Sequence, residues 1–313
     1  MDEKTKVSVQ AETADMVTEE QGTPGKSRRL SLVIKVLSIL FAAFFLYTAF
    51  RGPFISLVQR PFNVCGGIII WCLMDMNKVG TKKSSYVLDV VMIVILLLSG
   101  GYLIYMGAEV LMPTFEMSTP LFILGIALVL CIMEAARRTI GPAIPILSFL
   151  AIAYAMFGKY IPGQFRHAGF SLRSIVEVLV YSDRGLFGSV TGISATIIAT
   201  FIIFGAILFA TGGGKTFIDL ASLIAGNTYG GAAKLATVAS GLFGMISGSA
   251  GANVATTGAF TIPLMKRLGY SSDFAGAVEA SASSGGQIMP PIMGAGAFIM
   301  AELLGTTYLK IAV

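Results

Sequence analysis

Apolar residues along this chain gather in long runs with few or no charges, instead of recurring on one face of a soluble helix. Residues 30–50, 54–74, 87–106 and 120–136 form four such runs, and residues 142–157 a fifth. Each is close to the ~18–20 residues an α-helix needs to cross a ~30 Å hydrocarbon core. A further uncharged run covers residues 185–214. One segment has a different pattern: Leu172, Ile175, Val176, Leu179 and Val180 recur at helical spacing, with Arg173, Ser174 and Glu177 opposite. It predicts an amphipathic helix too short to span, lying in the membrane interface.

Composition agrees with this pattern. The chain has 313 residues, 55% hydrophobic and 12% charged, with mean hydropathy +0.80, which places it among all-α integral membrane proteins. A β-barrel would need alternating strands of ~10 residues, and the chain has none. The net charge of +5 is scattered beside apolar runs and forms no basic stripe, which argues against nucleic-acid binding. Cys65, Cys72 and Cys131 lack a CxxC or metal-ligand spacing and read as small core residues.

The basic residues supply a topology. Lys26, Arg28 and Arg29 precede the first run, Lys78, Lys82 and Lys83 follow the second, and Arg137 and Arg138 close the fourth. The positive-inside rule puts all three groups, and the N-terminus, in the cytoplasm, with the loop over 107–119 outside. Residues 1–29 read as a disordered cytoplasmic tail rather than a cleaved signal. Arg60, inside the second run, is expected to snorkel or serve an internal contact. Glycine usage shifts later: 14 occur before Gly185 and 22 in the 129 residues from it onward. The chain therefore divides near Thr139 into a four-helix module over 30–138 and a larger domain over 139–313.

Enzyme motifs fail on inspection, and no catalytic role is expected. "GGGKT" at 212–216 lacks the first glycine of a phosphate loop, having Phe209 there, and reads as a flexible turn. "SGSAG" at 247–251 has Ser247 where a nucleophile elbow needs glycine, and the chain's one histidine, His167, is far away. Zinc chemistry lacks ligands for the same reason.

The informative stretch covers residues 235–265, which hold 31 residues without a charge, bounded by Lys234 and by Lys266 with Arg267. One straight helix of that length would measure about 46 Å against a ~30 Å core. Breaking it at "SGSAG" leaves two arms of about 14 residues, about 20 Å each, and returns the basic flanks to one membrane face. A re-entrant hairpin is the predicted form. Its tip offers Ser247, Ser249, Asn253 and Thr256 beside freed carbonyls, a neutral oxygen set suited to a monovalent cation and too poor in carboxylates for a divalent one. A glycine and serine packing seam accounts for the same spacing, since Gly244 and Gly248 form GxxxG. Residues 274–304 repeat the device, interrupted by "SSGGQIMPP" at 283–291, where paired glycines loosen the helix and Pro290 and Pro291 remove donors. Glu279, an intramembrane carboxylate in this segment, is a candidate for proton coupling or a structural pair.

"GLFGMISGSAGANVATTGAFTIPLMKRLGY" and "AGAVEASASSGGQIMPPIMGAGAFIMAE" resemble the large membrane subunit of tripartite ATP-independent periplasmic (TRAP) transporters, most nearly the fused permeases of the TAXI type. Residues 30–136 resemble the small four-helix subunit, and "EAARRTIGPAIPILSFLAIAYAMFGKYIPG" the fused junction. The resemblance implies a permease of the bacterial or archaeal cytoplasmic membrane. It would be driven by sodium as coupling ion, with no other cofactor, fed a small organic anion by an extracytoplasmic solute-binding protein, and worked as an elevator. It places Ser247, Gly248, Ser249, Asn253 and Thr256 at a sodium-binding hairpin tip. Ser284, Gly285 and Gly286 belong to the neighbouring unwound helix that helps enclose the ion, and Thr257, Gln287, Pro290 and Pro291 line the substrate site. Members carry two inverted repeats, whereas this chain shows the first alone, so it reads as a fragment or as a chain whose second half is encoded separately, with the missing half of the permease as an expected partner. The competing readings are a structural or uncoupled channel-like module, and proton coupling through Glu279.

Overall fold

The computed structural model describes residues 27–78, 83–112, 114–225, 230–290 and 293–312. All regular elements among them are helical, and six helices are long and apolar enough to cross a membrane: Arg28–Arg51, Ser56–Asn77, Ser85–Val110, Thr119–Thr139, Ala143–Tyr160 and Ser189–Leu208. Helices thus occupy the five predicted spans, and the sixth, Ser189–Leu208, lies inside the uncharged run over 185–214. The tail predicted over 1–29 lies outside the described residues up to 26, and its last two residues already belong to the first helix. By packing, the described chain forms two compact units that divide between Thr196 and Ile197.

The first unit is built on α1 (Arg28–Arg51), α2 (Ser56–Asn77), α3 (Lys83–Val110) and α4 (Thr119–Thr139), followed by α5 (Ala143–Phe157), α6 (Leu172–Val180) and α7 (Ser189–Ile193). Small residues let α2 and α3 approach closely. A Cβ on Gly107 would come within 2.9 Å of the Leu57 carbonyl oxygen, the carbonyl that Pro61 four residues on cannot serve with a donor. α1 is held by rings, with Phe44 and Phe62 centroids 4.1 Å apart and Phe41 and Phe62 5.4 Å apart.

α6 forms where the apolar period predicted it, with Ser171 capping it by accepting from the Ser174 N–H at 3.1 Å. Its buried face, Val176 and Val180, packs on α4, where Gly125 leaves room for Val176. Tyr181 donates to the Leu121 carbonyl at 2.6 Å, and burial pushes its phenol above the usual range. Arg60 does serve an internal contact, donating to the Phe187 carbonyl at 2.7 Å with its guanidinium against Gly192. Beside it, Gln59 donates to the Ala195 carbonyl at 2.8 Å, inside a π-helical turn over Ser194–Ile198 whose widened ladder needs outside donors.

Among the described residues of this unit, charge is buried at one place. Asp89 on α3 has no exposure and accepts from Arg138 on α4 at 2.6 Å, while Arg138 also pairs with Glu134 at 2.8 Å. A buried ion pair adds little over an apolar pair, but removing one partner leaves an uncompensated charge.

The second unit contains α8 (Ala199–Ala210), α9 (Gly213–Ala225), α10 (Gly231–Ser247), α11 (Ala250–Arg267), α12 (Ser272–Gly286), α13 (Ala295–Leu303) and α14 (Tyr308–Ala312). Within "GGGKT" only Gly212 is a turn residue, at φ +93°, and the remainder opens α9. The tightest crossing joins α10 and α12. A Cβ on Gly244 would lie 2.6 Å from the Gly286 Cα, and one on Gly286 would lie 2.8 Å from the Gly244 Cα. Backbone meets backbone there, and no side chain fits.

Two stability outcomes follow for the detergent-solubilised protein, read as thermal midpoints. Gly286→Val is expected to destabilise by about 1–3 kcal/mol through overpacking. Arg138→Ala is expected to cost about 3 kcal/mol by stranding Asp89, whereas Arg137→Ala, at an exposed position paired only with Glu134, leaves the midpoint unchanged.

Candidate functional site

Three helices of the second unit build the site. α10 ends at Ser247, the chain turns at Gly248, and α11 leaves from Ala250, so the long uncharged run is a helical hairpin. Gly248 adopts φ +61°, the left-handed conformation that glycine takes without strain, and its N–H closes α10 on the Gly244 carbonyl at 2.9 Å. Ser249 caps α11 by accepting from the Ala252 N–H at 3.4 Å. The arms have 17 and 18 residues, longer than the uncharged run suggested, because both helices continue through the flanking Lys234, Lys266 and Arg267. At 1.5 Å per residue each is about 26 Å long, still short of a ~30 Å core.

The next helix is broken, but later than its glycines suggested. α12 remains helical through Gly285 and Gly286, turns follow as far as Pro290, and α13 begins at Ala295. Gly286 is needed for the close crossing with Gly244, so it packs rather than unwinds. Pro291 lies outside the described residues. Past the break, Met293 takes a left-handed φ of +57°, and its carbonyl lies where a Cβ on Gly248 would meet it at 2.5 Å. The hairpin turn therefore rests on the break. Gln287 folds back over it, its side chain within 3.0 Å of a Cβ position on Gly294.

Beneath this turn lies a polar core. Glu279 on α12 has no exposure. Thr261 donates to its Oε2 at 2.6 Å, Ser240 and Ser283 reach Oε1 at 3.0 and 3.1 Å, and the Thr257 hydroxyl reaches Oε1 as well. Among the described residues no basic side chain pairs with it. Hydroxyls from α10, α11 and α12 thus supply the donors that a buried carboxylate requires.

Asn253 joins this core from α11 and is also fully buried. Its Nδ2 donates to the Ser240 carbonyl at 2.7 Å and to the Ser240 Oγ at 3.0 Å. A backbone carbonyl can only accept, which fixes the amide orientation. Oδ1 is left buried with no hydrogen-bond partner. An unmatched buried acceptor costs about 1–3 kcal/mol, so this oxygen marks a place for a donor or a cation.

The other residues singled out by sequence are arranged differently. Ser247 and Ser249 stay at the turn, 3.5 Å apart between hydroxyl and carbonyl. Thr256 and Ser284 are exposed and donate to their own helices, at the Ala252 and Ala280 carbonyls. The Gly285 carbonyl accepts from the Gln287 and Ile288 N–H groups, the latter at 3.2 Å, and the Gly286 carbonyl accepts from the Met289 N–H at 3.1 Å, which leaves Gly286 a second lone pair. Sequence reasoning missed Ser240, Thr261 and Ser283. A signal existed: Asn253, Thr257 and Thr261, like Glu279 and Ser283, are spaced by four, the spacing of one helix face. Among the described residues no group of His, Cys, Asp and Glu could hold a metal ion.

Comparison with known proteins gives this geometry a family. The profile described as "Tripartite ATP-independent periplasmic transporter, DctM component" matches residues 127–313. The chain is 32% identical over 174 residues to "Isethionate TRAP transporter permease protein DctMQ" of Oleidesulfovibrio alaskensis, covering 53% of this chain and 27% of that protein. It is 31% identical over 157 residues to "C4-dicarboxylate TRAP transporter large permease protein DctM" of Vibrio cholerae, covering 48% and 34%. The homonymous protein of Pseudomonas aeruginosa is 35% identical over 91 residues, covering 29% and 21%. The chain thus matches between about a fifth and a third of the length of these curated relatives. No solved structure matches it significantly. Since the profile covers more than half of its residues, the chain belongs to the DctM family of TRAP transporter permeases.

Proposed function

We propose that this chain is the permease part of a sodium-coupled secondary transporter for a small organic anion, fed by an extracytoplasmic solute-binding protein. The Asn253 Oδ1, buried and unpartnered beside an uncharged hairpin turn, is the observation that carries the reading. A bare amide oxygen near backbone carbonyls and hydroxyls, with no divalent-ion cluster among the described residues, suits a monovalent hard cation. α10 and α11 form the re-entrant hairpin of an elevator domain, and the break after α12 faces its tip. Ser247, Ser249 and the Gly248, Gly285 and Gly286 carbonyls complete the ion's surroundings. Thr257, Gln287 and Pro290 are assigned to the substrate side. Relatives named for isethionate and for C4-dicarboxylates, both small anions, support the substrate class. The relative named DctMQ is in keeping with a fused permease, in which residues 30–138 form the small-subunit part and 139–313 the first repeat of the large one. The chain lies in a bacterial or archaeal cytoplasmic membrane with its N-terminus inside.

Transport decides the matter in proteoliposomes holding this chain, with any companion permease segment and the binding protein added. Uptake is expected to follow an imposed sodium gradient. Asn253→Ala is expected to raise the half-saturating sodium concentration at least tenfold, about 1.4 kcal/mol. Uptake driven by a pH gradient alone, or downhill uptake with no sodium requirement, would contradict the proposal.

A further inference from the structure

Asn253 offers its Oδ1 only because its amide is held in one orientation, and the hydrogen bonds show what holds it. Nδ2 gives one hydrogen to the Ser240 carbonyl and the other to the Ser240 Oγ. That hydroxyl, having accepted, must send its own hydrogen elsewhere. It lies 3.0 Å from the Glu279 Oε1 and 2.8 Å from the Ser283 Oγ, and Ser283 is itself within 3.1 Å of the same Oε1. Both routes end on the carboxylate.

We propose that Glu279 is a positioning residue for the ion site. By drawing the Ser240 hydrogen toward itself, it keeps a Ser240 lone pair free for the second Nδ2 hydrogen and so locks the orientation that the Ser240 carbonyl sets, with the Asn253 Oδ1 toward the ion. Thr257 and Thr261 hold the carboxylate itself. They stand one turn apart on α11, the helix that carries Asn253, and reach Oε1 and Oε2 respectively. These contacts hold α11 against α12, apart from the Ser240 path that locks the amide. A glutamine at 279 keeps the size but replaces the carboxylate by a neutral amide, a weaker acceptor for the Ser240 hydrogen. Partners that orient a ligand in this way govern ion affinity nearly as strongly as the ligand does.

The inference rests on the sodium reading above, and its test separates the two. The purified full chain in detergent is melted while sodium chloride replaces choline chloride at constant ionic strength, so that the rise in midpoint reports sodium affinity. The unaltered protein should show a sodium-specific rise; its absence overturns the sodium reading and the positioning role together. Where the rise is present, Glu279→Gln and Ser240→Ala should each weaken sodium by about 10- to 100-fold. The double variant should be no weaker than the worse single one, because both act along one path. Thr261→Ala removes a hydroxyl from Oε2 but spares the Ser240 path, so it should lower the sodium-free midpoint and keep the wild-type sodium affinity. Unchanged affinity in Glu279→Gln, or an equal loss in Thr261→Ala, overturns the positioning role alone. Should Glu279→Gln fail to fold, Ser240→Ala decides by the same criterion.

Discussion

A carboxylate with no access to water holds three helices of the second unit in register. Glu279 gathers Ser240 from α10, Thr257 and Thr261 from α11, and Ser283 from its own helix. In an apolar interior such a group is tolerated only where donors surround it, and each of these donors constrains the helix that brings it. The cost of burial becomes a constraint on geometry. Any slip of α10 or α11 by one residue would remove hydroxyls from the carboxylate and leave its charge bare.

The glycines make that constraint possible. Gly244 and Gly286 bring α10 and α12 into backbone contact, and only at that separation do the short Ser240 and Ser283 side chains reach a common partner. Gly248 turns the chain in a left-handed conformation, and the same absence of a side chain lets the Met293 carbonyl back onto the turn. Close approach and sharp turning are separate uses of one property, and the site depends on both.

Those two uses also explain what could be read from the sequence. The spans were legible because length and freedom from charge identify a membrane helix almost unaided. The hairpin was legible because the uncharged run is too long for one crossing and carries "SGSAG" in its middle. Gly285 and Gly286 were misjudged as the point of unwinding, since a glycine pair that loosens a helix and one that lets helices touch look alike in one dimension. The sequence puts Asn253 in the oxygen set of the hairpin tip, Thr257 in the substrate lining that the family resemblance implies, and Glu279 by itself as an intramembrane carboxylate. Their meeting was not legible, because Ser240 and Glu279 are separated by 39 positions and only the crossing of α10 and α12 joins them. The amphipathic helix α6 was found by its period, but its role as a packing partner of α4 depends on Gly125 leaving room for Val176.

The proposal that the unpartnered Asn253 Oδ1 is a sodium ligand is tested most directly by a density map of the protein in sodium compared with one in choline. The account predicts a compact ion peak at coordination distance from Oδ1 in sodium, lost in choline, with the Nδ2 contacts to Ser240 present in both. A map in sodium with no peak there, or with a protein donor filling that position, would contradict it.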